Sequence, residues 1–469
     1  MTQWDAIVLG AGPAGIAAAT RLSAGGARVM LVDENAAPGG QIWRGVETAS
    51  AQRIALLGPD YLYGQRRVAA LRAGTATLAL DTTLWRVEAD GAVWLKSPAG
   101  LARHHSPHIV LATGAMERPV PRPGWTLPGV TTIGGLQILL KKHGILPAGP
   151  LLLAGTGPLF YLYAQQCLKA GKRDIILLDT ARRHGWLKAA NAFPRALTGE
   201  GSRYLLKGIG LLSTLRWHRV PFFTGVSDLS IEQDPLRDGL VLHCRTGRKT
   251  RTFAAQHVGL HEGVIPEQHV ARSLGCDFLW DEIACAFRPR RSTALESSVA
   301  GVFIAGDAGG IGGYRVAEAE GRLAAIAILH RLGKLAEAPM RQERQAAQRL
   351  SRSHLTSRPL LNLLYAPSHE ILAPDSAALA CRCEEVSCAA VRESIRLGAN
   401  GPNQLKAFLR TGMGPCQGRL CATTIAHLFA AERNIPLDKA GFYHIRNPLI
   451  PVSVGELADL YRDNEAPDL

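Results

Sequence analysis

The most chemically distinctive part of this sequence is a group of cysteines near its C-terminal end. Of the nine cysteines in 469 residues, five lie in the segments CRCEEVSC, which starts at Cys381, and GPCQGRLC, which ends at Cys421. Cys381 and Cys383 form one close pair, and Cys416 and Cys421 form another. Two close pairs of thiolates can reach a single metal centre. Cys388 falls inside a predicted helix and is interpreted as a core residue.

Three occupants compete for these four thiols: structural zinc, a redox disulfide and an iron–sulfur cluster. Zinc knuckles usually have CxxC spacing, which neither pair has. A disulfide between Cys416 and Cys421 would leave the CxC pair without a role. The pairs resemble those of the [2Fe–2S] domain of bacterioferritin-associated ferredoxin, although that family usually has CxxC where this chain has CxxxxC. The resemblance implies that the cluster ligands are Cys381, Cys383, Cys416 and Cys421.

The N-terminal segment WDAIVLGAGPAGIAAATRLSAGGARVMLVDEN predicts a strand, a glycine turn, an Ala-rich helix and a second strand. Gly10, Gly12 and Gly15 form GxGxxG, which turns the chain, exposes N–H groups to a pyrophosphate and packs the helix on the strand. Asp33 and Glu34 end the second strand at the distance needed to hydrogen-bond a ribose, and their charge disfavours the 2′-phosphate of NADP. The alternative is an α/β domain with a fortuitous Gly-rich turn.

Later segments extend the same predicted site: GGQIWR, the strand IVLATG and the strand VFIAGD. Together they resemble flavoproteins with two dinucleotide-binding domains, whose FAD domain is split by an inserted NAD-type domain. In that family the terminal aspartate contacts the ribityl chain, and the helix after it points its positive end at the flavin. The FAD-binding residues that the resemblance implies are Gly10, Gly12, Pro13, Ala14, Gly15, Asp33, Glu34, Gly40, Gln41, Thr113, Gly114, Gly306, Asp307, Gly312 and Gly313.

A second Rossmann unit is predicted from GPLLLAGTGPLFYLYAQQCLKAGKRDIILLDT, with Gly155 and Gly157 in the turn and Asp179 ending the next strand. Phe160 occupies the third glycine position, where a large side chain blocks the closest approach of helix and strand. This unit is therefore expected to hold an adenine nucleotide, to hold nothing, or to take NADH weakly. Residues 34 to 166 contain no cysteine and Cys167 stands alone, so a disulfide reductase is disfavoured.

These segments predict an α/β fold: a split FAD domain with an inserted Rossmann-type domain, followed by a small, mostly helical four-cysteine domain. Cys167, Cys244, Cys276 and Cys285 are interpreted as small buried hydrophobes. The predicted organisation is a first FAD-domain segment at 1–120, the insert at 121–288, a second FAD-domain segment at 289–335, a linker at 336–372, the [2Fe–2S] domain at 373–435 and a C-terminal tail packing on the body at 436–469.

Composition and charge narrow the functional class. The formal net charge is +14, but the basic residues are spread along the chain without a nucleic-acid-binding signature, so an acidic protein partner is favoured over DNA or RNA. The start MTQWDAIVLG lacks the basic residues of a secretory signal, and the most apolar stretch is interrupted by glycine, proline and glutamine. We expect a cytoplasmic protein with no transmembrane segment, and leave association with a membrane surface open.

A narrower resemblance rests on GMGPCQGRLC, LPGVTTIGGLQILLK, GTGPLFYLYA, HEGVIPE and RNPLIPVSVGELADL. In combination they resemble the alpha subunits of multi-subunit flavoprotein dehydrogenases: opine oxidases, D-hydroxyproline and proline dehydrogenases, and hydrogen cyanide synthase. In that family a beta subunit resembling D-amino-acid oxidase oxidises the amine, and some members add a small ferredoxin-like gamma subunit. The alpha subunit carries FAD and an iron–sulfur cluster. Some members also hold FMN at a subunit interface or an adenine nucleotide in the second unit.

The resemblance implies an oxidoreductase acting on CH–NH or CH–NH2 groups, in which this chain is the electron-transfer subunit for an opine, D-hydroxyproline or proline. In agreement, no segment supplies an evident general base or nucleophile. RHHSPH (His104, His105 and His108) is interpreted as a solvated loop, and His261 and Glu262 as a polar hinge. The alternatives are a self-sufficient NAD(P)H-dependent flavin/iron–sulfur reductase and a redox-sensing or structural flavoprotein.

Overall fold

The structure is a computed structural model that describes residues 2–181, 189–236 and 238–465. Its strands are β1 (Thr2–Gln3), β2 (Ala6–Leu9), β3 (Val29–Val32), β4 (Thr77–Ala79), β5 (Thr83–Val87), β6 (Ala92–Ser97), β7 (Gly100–His105), β8 (Ile109–Leu111), β9 (Ala115–Glu117), β10 (Val130–Thr132), β11 (Leu151–Thr156), β12 (Ile175–Asp179), β13 (Phe222–Thr224), β14 (Val226–Gln233), β15 (Leu240–Thr246), β16 (Lys249–Ala255), β17 (His257–Glu262), β18 (Val264–Pro266), β19 (Phe278–Asp281), β20 (Ala286–Pro289), β21 (Val302–Ile304), β22 (Leu379–Cys381) and β23 (Val386–Ser387).

The helices are α1 (Pro13–Ala24), α2 (Ala51–Leu57), α3 (Pro59–Arg72), α4 (Ile133–His143), α5 (Pro158–Lys169), α6 (Phe193–Ala196), α7 (Gly201–Trp217), α8 (His269–Ser273), α9 (Tyr314–Arg331), α10 (Glu337–His354), α11 (Arg358–Leu364), α12 (His369–Leu372), α13 (Cys388–Arg396), α14 (Pro402–Leu409), α15 (Ala422–Arg433) and α16 (Val454–Glu465). No helix in the described part of the chain is both long enough and apolar enough to cross a bilayer.

The first unit is built on a parallel sheet with strand order β21-β8-β2-β3-β4. Strands β2 and β3 consist entirely of buried apolar residues, as expected when both faces of a parallel sheet are covered. Helices α1 and α9 pack on one face, and β5 and β6 of an antiparallel sheet contribute to the core on the other. Strand β21 comes from far along the chain and pairs with β8, so this unit is split in sequence.

The second unit contains a parallel sheet, β10-β17-β11-β12-β13, and a three-stranded antiparallel sheet, β14-β15-β16. Strand β17 ends at Glu262, whereas the predicted insert continues to residue 288. After β17, β18 pairs antiparallel with β9, and Val270 and Leu274 pack in the core of the first unit beside Ile7 and Ile109. Residues 264–289 therefore pack with the first unit, because the apolar face of α8 covers its sheet.

The segment predicted as a linker, 336–372, contains α10, α11 and α12. Helix α10 packs along α9, where Ala347 enters the core, and the guanidinium of Arg21 donates to both carboxylate oxygens of Glu343 over 2.8 and 2.7 Å. At the C-terminal end, the backbone N–H of Leu449 donates to the carbonyl of Trp85, and α16 lies against β7. These segments are thus integral to the packed body.

Buried charges join the hinge between the units to α12. Arg122 Nη2 lies 2.7 Å from Glu262 Oε1, with both side chains at most 3% exposed, and Arg122 Nη1 pairs with Glu370. The hydroxyl of Thr180 and the backbone N–H of Ser368 also donate to the Glu262 carboxylate. Arg122 is the cation that lies between two carboxylates, so it compensates the negative charges of both Glu262 and Glu370.

Replacing Arg122 with methionine should lower the free energy of unfolding by about 3–5 kcal/mol, because Glu262 is left as a buried, uncompensated charge. Chemical denaturation followed by circular dichroism measures the change. Arg245→Met is the control: its partner Asp228 lies 2.7 Å away, but both side chains are more than half exposed, so the expected change is within about 1 kcal/mol. If the two variants lowered the free energy of unfolding equally, burial of the ion pair would not be the reason for the loss at Arg122.

Candidate cofactor sites

The predicted dinucleotide residues meet at one edge of the first sheet. Strands β2, β8 and β21 are parallel neighbours, so their carboxyl ends bring Gly10, Thr113 and Gly306 to the same edge. A Cβ built on Gly10, whose φ is +104°, would lie 2.4 Å from the carbonyl oxygen of Ala112, so the turn and the Thr113-Gly114 segment are in close contact. Ligands of open α/β sheets bind at this edge.

The glycine turn leads directly into α1. A Cβ on Gly15 would lie 1.8 Å from the carbonyl oxygen of Gly10, so only glycine permits this approach of helix and turn. Pro13 is the first residue of α1, where its missing N–H costs no helix hydrogen bond. Ala14 follows it, and the unpaired N–H groups at the start of α1 form an anion-binding end for a pyrophosphate.

The GGQIWR segment covers the same turn. The backbone N–H of Gly39 donates to the carbonyl of Ala11, and a Cβ on Gly40, at φ +57°, would lie 2.7 Å from the Cα of Gly12. Gln41 is exposed, and its carbonyl accepts a 3.1 Å hydrogen bond from Lys141 Nζ. Burial, together with the charge of Arg44, lowers the pKa of Lys141 to about 7. Sequence reasoning missed this lysine, since its contact spans 100 residues.

The two acids at the end of β3 have different environments. Asp33 is buried: its Oδ2 accepts from the N–H of Ala11 at 2.6 Å, and its Oδ1 accepts from the backbone and side chain of Asn35. Asp33 therefore holds the glycine turn in place. Glu34 is exposed beside it and is the freer of the two to reach a ribose.

Asp307 organises the start of α9. Its Oδ1 accepts from the N–H groups of Gly312 at 2.9 Å and Gly313 at 3.1 Å. The preceding turn is held from behind, because Glu320 Oε2 accepts from the N–H of Gly306 and pairs with Arg291, both at 2.8 Å. Glu320 and Arg291 are supporting residues that the sequence patterns did not single out.

In the second unit, the carboxylate expected to meet a ribose is already engaged. The hydroxyl of Tyr161 donates to Asp179 Oδ2 and the N–H of Ala181 donates to Oδ1, both at 2.8 Å. Phe160 is fully buried, and the ring of Tyr365 from the segment after α11 lies 5.9 Å from that of Tyr161. Burial raises the pKa of Tyr161, so its hydroxyl stays protonated and keeps donating. The side chains of Tyr161 and Tyr365 therefore occupy part of the space beside Asp179 where a nucleotide ribose would bind.

A cavity of about 470 Å³ lies between the two units. Its walls include residues 309–311 after Asp307, residues 157–159 at the start of α5, and four arginines: Arg118, Arg288, Arg291 and Arg358. Arg358 comes from the segment predicted as a linker, and its buried Nε has no hydrogen-bond partner in the described structure. Burial lowers the pKa of Arg358 while the nearby Asp307 raises it. Glu262, Asp281 and Glu320 also line the cavity, and Asp281 and Glu320 pair with Arg288 and Arg291, so its walls carry mixed charge. A cavity of this size suits a ring-sized polar ligand.

The four thiols predicted as ligands lie in two facing pairs. Cys381, at the end of β22, hydrogen-bonds with Cys421, just before α15, and Cys383 with Cys416. Cys381 and Cys421 are buried, whereas Cys383 and Cys416 are half-buried. The pKa of Cys381 is lowered to about 6, chiefly by the Cys421 thiol and also by backbone N–H groups, including that of Gly412.

The loop that carries Cys416 and Cys421 is shaped by close approaches. A Cβ on Gly412 or Gly418 would lie 2.7 or 2.8 Å from the ring of Tyr443, whose hydroxyl is 3.8 Å from Cys421 Sγ. Among the described residues no group of side chains already has the geometry of a metal site. The donor set nevertheless fits an iron–sulfur cluster, because four free thiols face one another and backbone N–H groups point at the sulfur.

The other cysteines and the histidine segment are explained by local packing. Cys388 is completely buried in the apolar core of this domain, as the sequence predicted, and burial raises its pKa to about 11. Cys285 differs from its prediction because it is only partly buried. His104 and His105 lie in β7, so RHHSPH is largely a paired strand rather than a loop.

Comparison with known proteins gives the following matches. Residues 4–184 match the family described as pyridine nucleotide-disulphide oxidoreductase, and residues 379–431 match the BFD-like [2Fe-2S] binding domain. The chain is 54% identical over 461 residues to the A subunit of opine oxidase from Rhizobium meliloti (strain 1021), covering 98% of this chain and 99% of that protein.

Two further matches are more distant. Hydrogen cyanide synthase subunit HcnB of Pseudomonas protegens is 29% identical over 432 residues, covering 88% of this chain and 89% of that protein. The crystal structure of L-proline dehydrogenase from P. horikoshii matches with a TM-score of 0.69 at 17% identity, covering 97% of this chain and 79% of that chain, which indicates a shared fold.

Proposed function

Because the chain belongs to the family of opine oxidase A subunits, we propose that it is the electron-transfer subunit of a hetero-oligomeric enzyme that oxidises an opine. Membership confirms the family, the fold class and the oxidoreductase assignment that the motifs predicted. The observation that carries the electron-transfer role is a direct contact: the loop between Cys416 and Cys421 packs on the unit that bears the dinucleotide groove.

We assign the cofactors to the residues already described. FAD would lie across the N-terminal end of α1, with Glu34 at its ribose and Asp307 at its ribityl chain. The cluster would be held by the thiolates of the two facing cysteine pairs. Flavin accepts two electrons and a [2Fe–2S] cluster carries one, so the pair converts a two-electron oxidation into single-electron steps. The chain's own residues bind, orient and shield the two centres.

The oxidation of the amine belongs to another subunit in this proposal. The relatives are named as one subunit of an opine oxidase, which implies further subunits. We propose a beta subunit resembling D-amino-acid oxidase and a small ferredoxin-like gamma subunit. The net charge of +14 suits docking of acidic partners. FMN at a subunit interface, an adenine nucleotide in the second unit and the cytoplasmic location stay predictions, as do the domain boundaries.

A self-sufficient NAD(P)H reductase is the second candidate, because the cavity between the units is large enough for a nicotinamide ring. The bond from Tyr161 to Asp179 argues against it, since an incoming ribose would have to displace a buried hydroxyl. Breaking that bond leaves a buried polar group unpaired, which costs about 1–3 kcal/mol of binding free energy.

An anaerobic titration separates these functions. The purified chain should show flavin absorption with about two irons per chain, and NADH should bleach the flavin only slowly. An opine should leave the isolated chain oxidised, yet reduce flavin and cluster when the chain is purified together with its amine-oxidising partner. Rapid bleaching by NADH would favour the reductase. Reduction of the isolated chain by the opine would place amine oxidation in this chain and overturn the proposal.

A further inference from the structure

The four-cysteine domain touches the first unit through the residues that follow β18. The ring of His269, at the start of α8, lies with its Nε2 2.6 Å from the carbonyl oxygen of Gln417. Gln417 is inside the loop between Cys416 and Cys421, next in sequence to Cys416. A carbonyl oxygen only accepts, so Nε2 must carry the proton of this hydrogen bond.

The same segment touches the dinucleotide edge at its other end. The N–H of Glu267 donates to the carbonyl of Gly114 at 3.0 Å, and Glu267 Oε1 accepts from the N–H of His269 at 2.7 Å. Gly114 follows Thr113 in the segment that borders the glycine turn. Residues 267–269 thus connect the two predicted cofactor sites through three hydrogen bonds and one short stretch of backbone.

We propose that residues 267–269 form the bridge by which electrons pass between the dinucleotide groove and the cluster loop, with His269 as the positioning residue. The proposal rests on the proposed function, since it requires flavin in the groove and a cluster on the cysteines. His269 acts through Gln417: its hydrogen bond fixes the backbone of the ligand loop at a set distance and orientation from Gly114. The fixed geometry keeps the two centres in electronic contact.

The chemical character of His269 fits such a bridge. The side chain is 3% exposed, and burial lowers its pKa to about 4, with the charge of Arg419 acting in the same direction. The imidazole is therefore neutral at physiological pH and donates one hydrogen bond through Nε2. A neutral donor fixes the loop without adding a buried positive charge that would hold the electron there.

The exposure of the cysteines gives the path a direction. The Gln417 side of the loop is closed by His269, whereas Cys383 and Cys416 are half-buried and Met413 beside them is 46% exposed. A [2Fe–2S] cluster held by the four cysteines would take one electron at a time from a two-electron flavin. The open side at Cys383 and Cys416 would give a one-electron carrier access to that cluster.

The test compares His269→Leu with His269→Gln, because glutamine retains an N–H donor and leucine does not. A laser pulse with deazaflavin reduces the flavin of the full-length protein, and the rise of reduced-cluster absorbance gives the rate of transfer. We expect His269→Leu to slow this rate by about tenfold, as losing an outer hydrogen bond of a metal site does. The midpoint potential of the cluster should shift as well, and His269→Gln should recover most of the rate.

His427→Leu is the matched control. His427, in α15, is a half-buried histidine at the same contact between domains. Its buried Nε2 has no hydrogen-bond partner in the described structure, and its ring lies 5.5 Å from that of Trp280. Its replacement should leave rate and potential unchanged. If His269→Leu keeps both cofactors and transfers at the wild-type rate, the bridge is wrong while the proposed function stands. If the wild-type protein lacks flavin or iron, the proposed function itself fails.

Discussion

Replacing Cys381 with alanine should remove the iron from this protein while leaving its flavin in place. The thiol of Cys381 is buried and faces Cys421, which lowers the pKa of Cys381 to about 6, so this ligand ionises readily. Three thiolates do not complete the four-cysteine ligation of a [2Fe–2S] centre. Iron should fall from about two per chain to none. The rate of opine-dependent reduction of a one-electron acceptor should fall by more than about 100-fold, because losing a ligand costs more than losing a residue that only hydrogen-bonds to a ligand.

The chain offers a close control in Cys388→Ala. Cys388 is equally buried in the same small domain and undergoes the same change, but its side chain lies in the apolar core. It should keep its iron and its rate, losing only the modest stability that a small cavity costs. Iron analysis and the absorption spectrum decide the outcome. Zinc in place of iron, or equal loss of metal in both variants, would contradict the ligand assignment.

The second large effect is expected at Gly12. Its φ of −77° is allowed for any residue, and a Cβ there would have only the Cα of Gly40 within 4 Å, at 3.8 Å. Valine should therefore fold but extend over the start of α1, where the pyrophosphate is expected. Flavin affinity should weaken by at least about tenfold, which corresponds to about 1.4 kcal/mol. Fluorescence titration of the flavin-free protein measures this.

Gly208→Val is the matched change for that experiment. Gly208 lies in α7, and a Cβ built on it meets nothing within 4 Å. Its flavin affinity should equal that of the wild type. Unfolding of Gly12→Val without flavin should occur near the wild-type midpoint. A variant that binds flavin normally would show that the pyrophosphate does not pass over Gly12.

Local patterns predicted the glycine turn and the start of α9. Gly15 and Asp307 each act within a few residues of their own position, so their types and spacing carry the information. The same holds for the pairing of strand ends at one edge, which follows from the parallel order of a Rossmann sheet. The cysteine pairs are a similar case, since each pair is local and only their convergence is tertiary.

Sequence patterns could not predict the contacts between distant segments of the chain. Nothing near Asp179 indicates that Tyr161 engages it, because the bond depends on the orientation of α5 over β12. The segment 336–372, predicted as a linker, is a related case. Its proline and serine residues are typical of connections, yet α10 carries one apolar face that α9 covers. The role proposed for His269 likewise depends on its hydrogen bond to Gln417, which lies 148 residues further along the chain.

The split first sheet has a consequence for the synthesis of this protein. Strand β8 ends at Leu111 and its neighbour β21 starts at Val302, so about 190 residues must be translated before they can pair. At about 5–20 residues per second, the ribosome needs roughly 10–40 s to cross that interval. During this time β8 is an unpaired apolar edge, which is a template for association with other nascent chains. Early folding of the second unit would shorten the distance between the two strands and so limit that exposure.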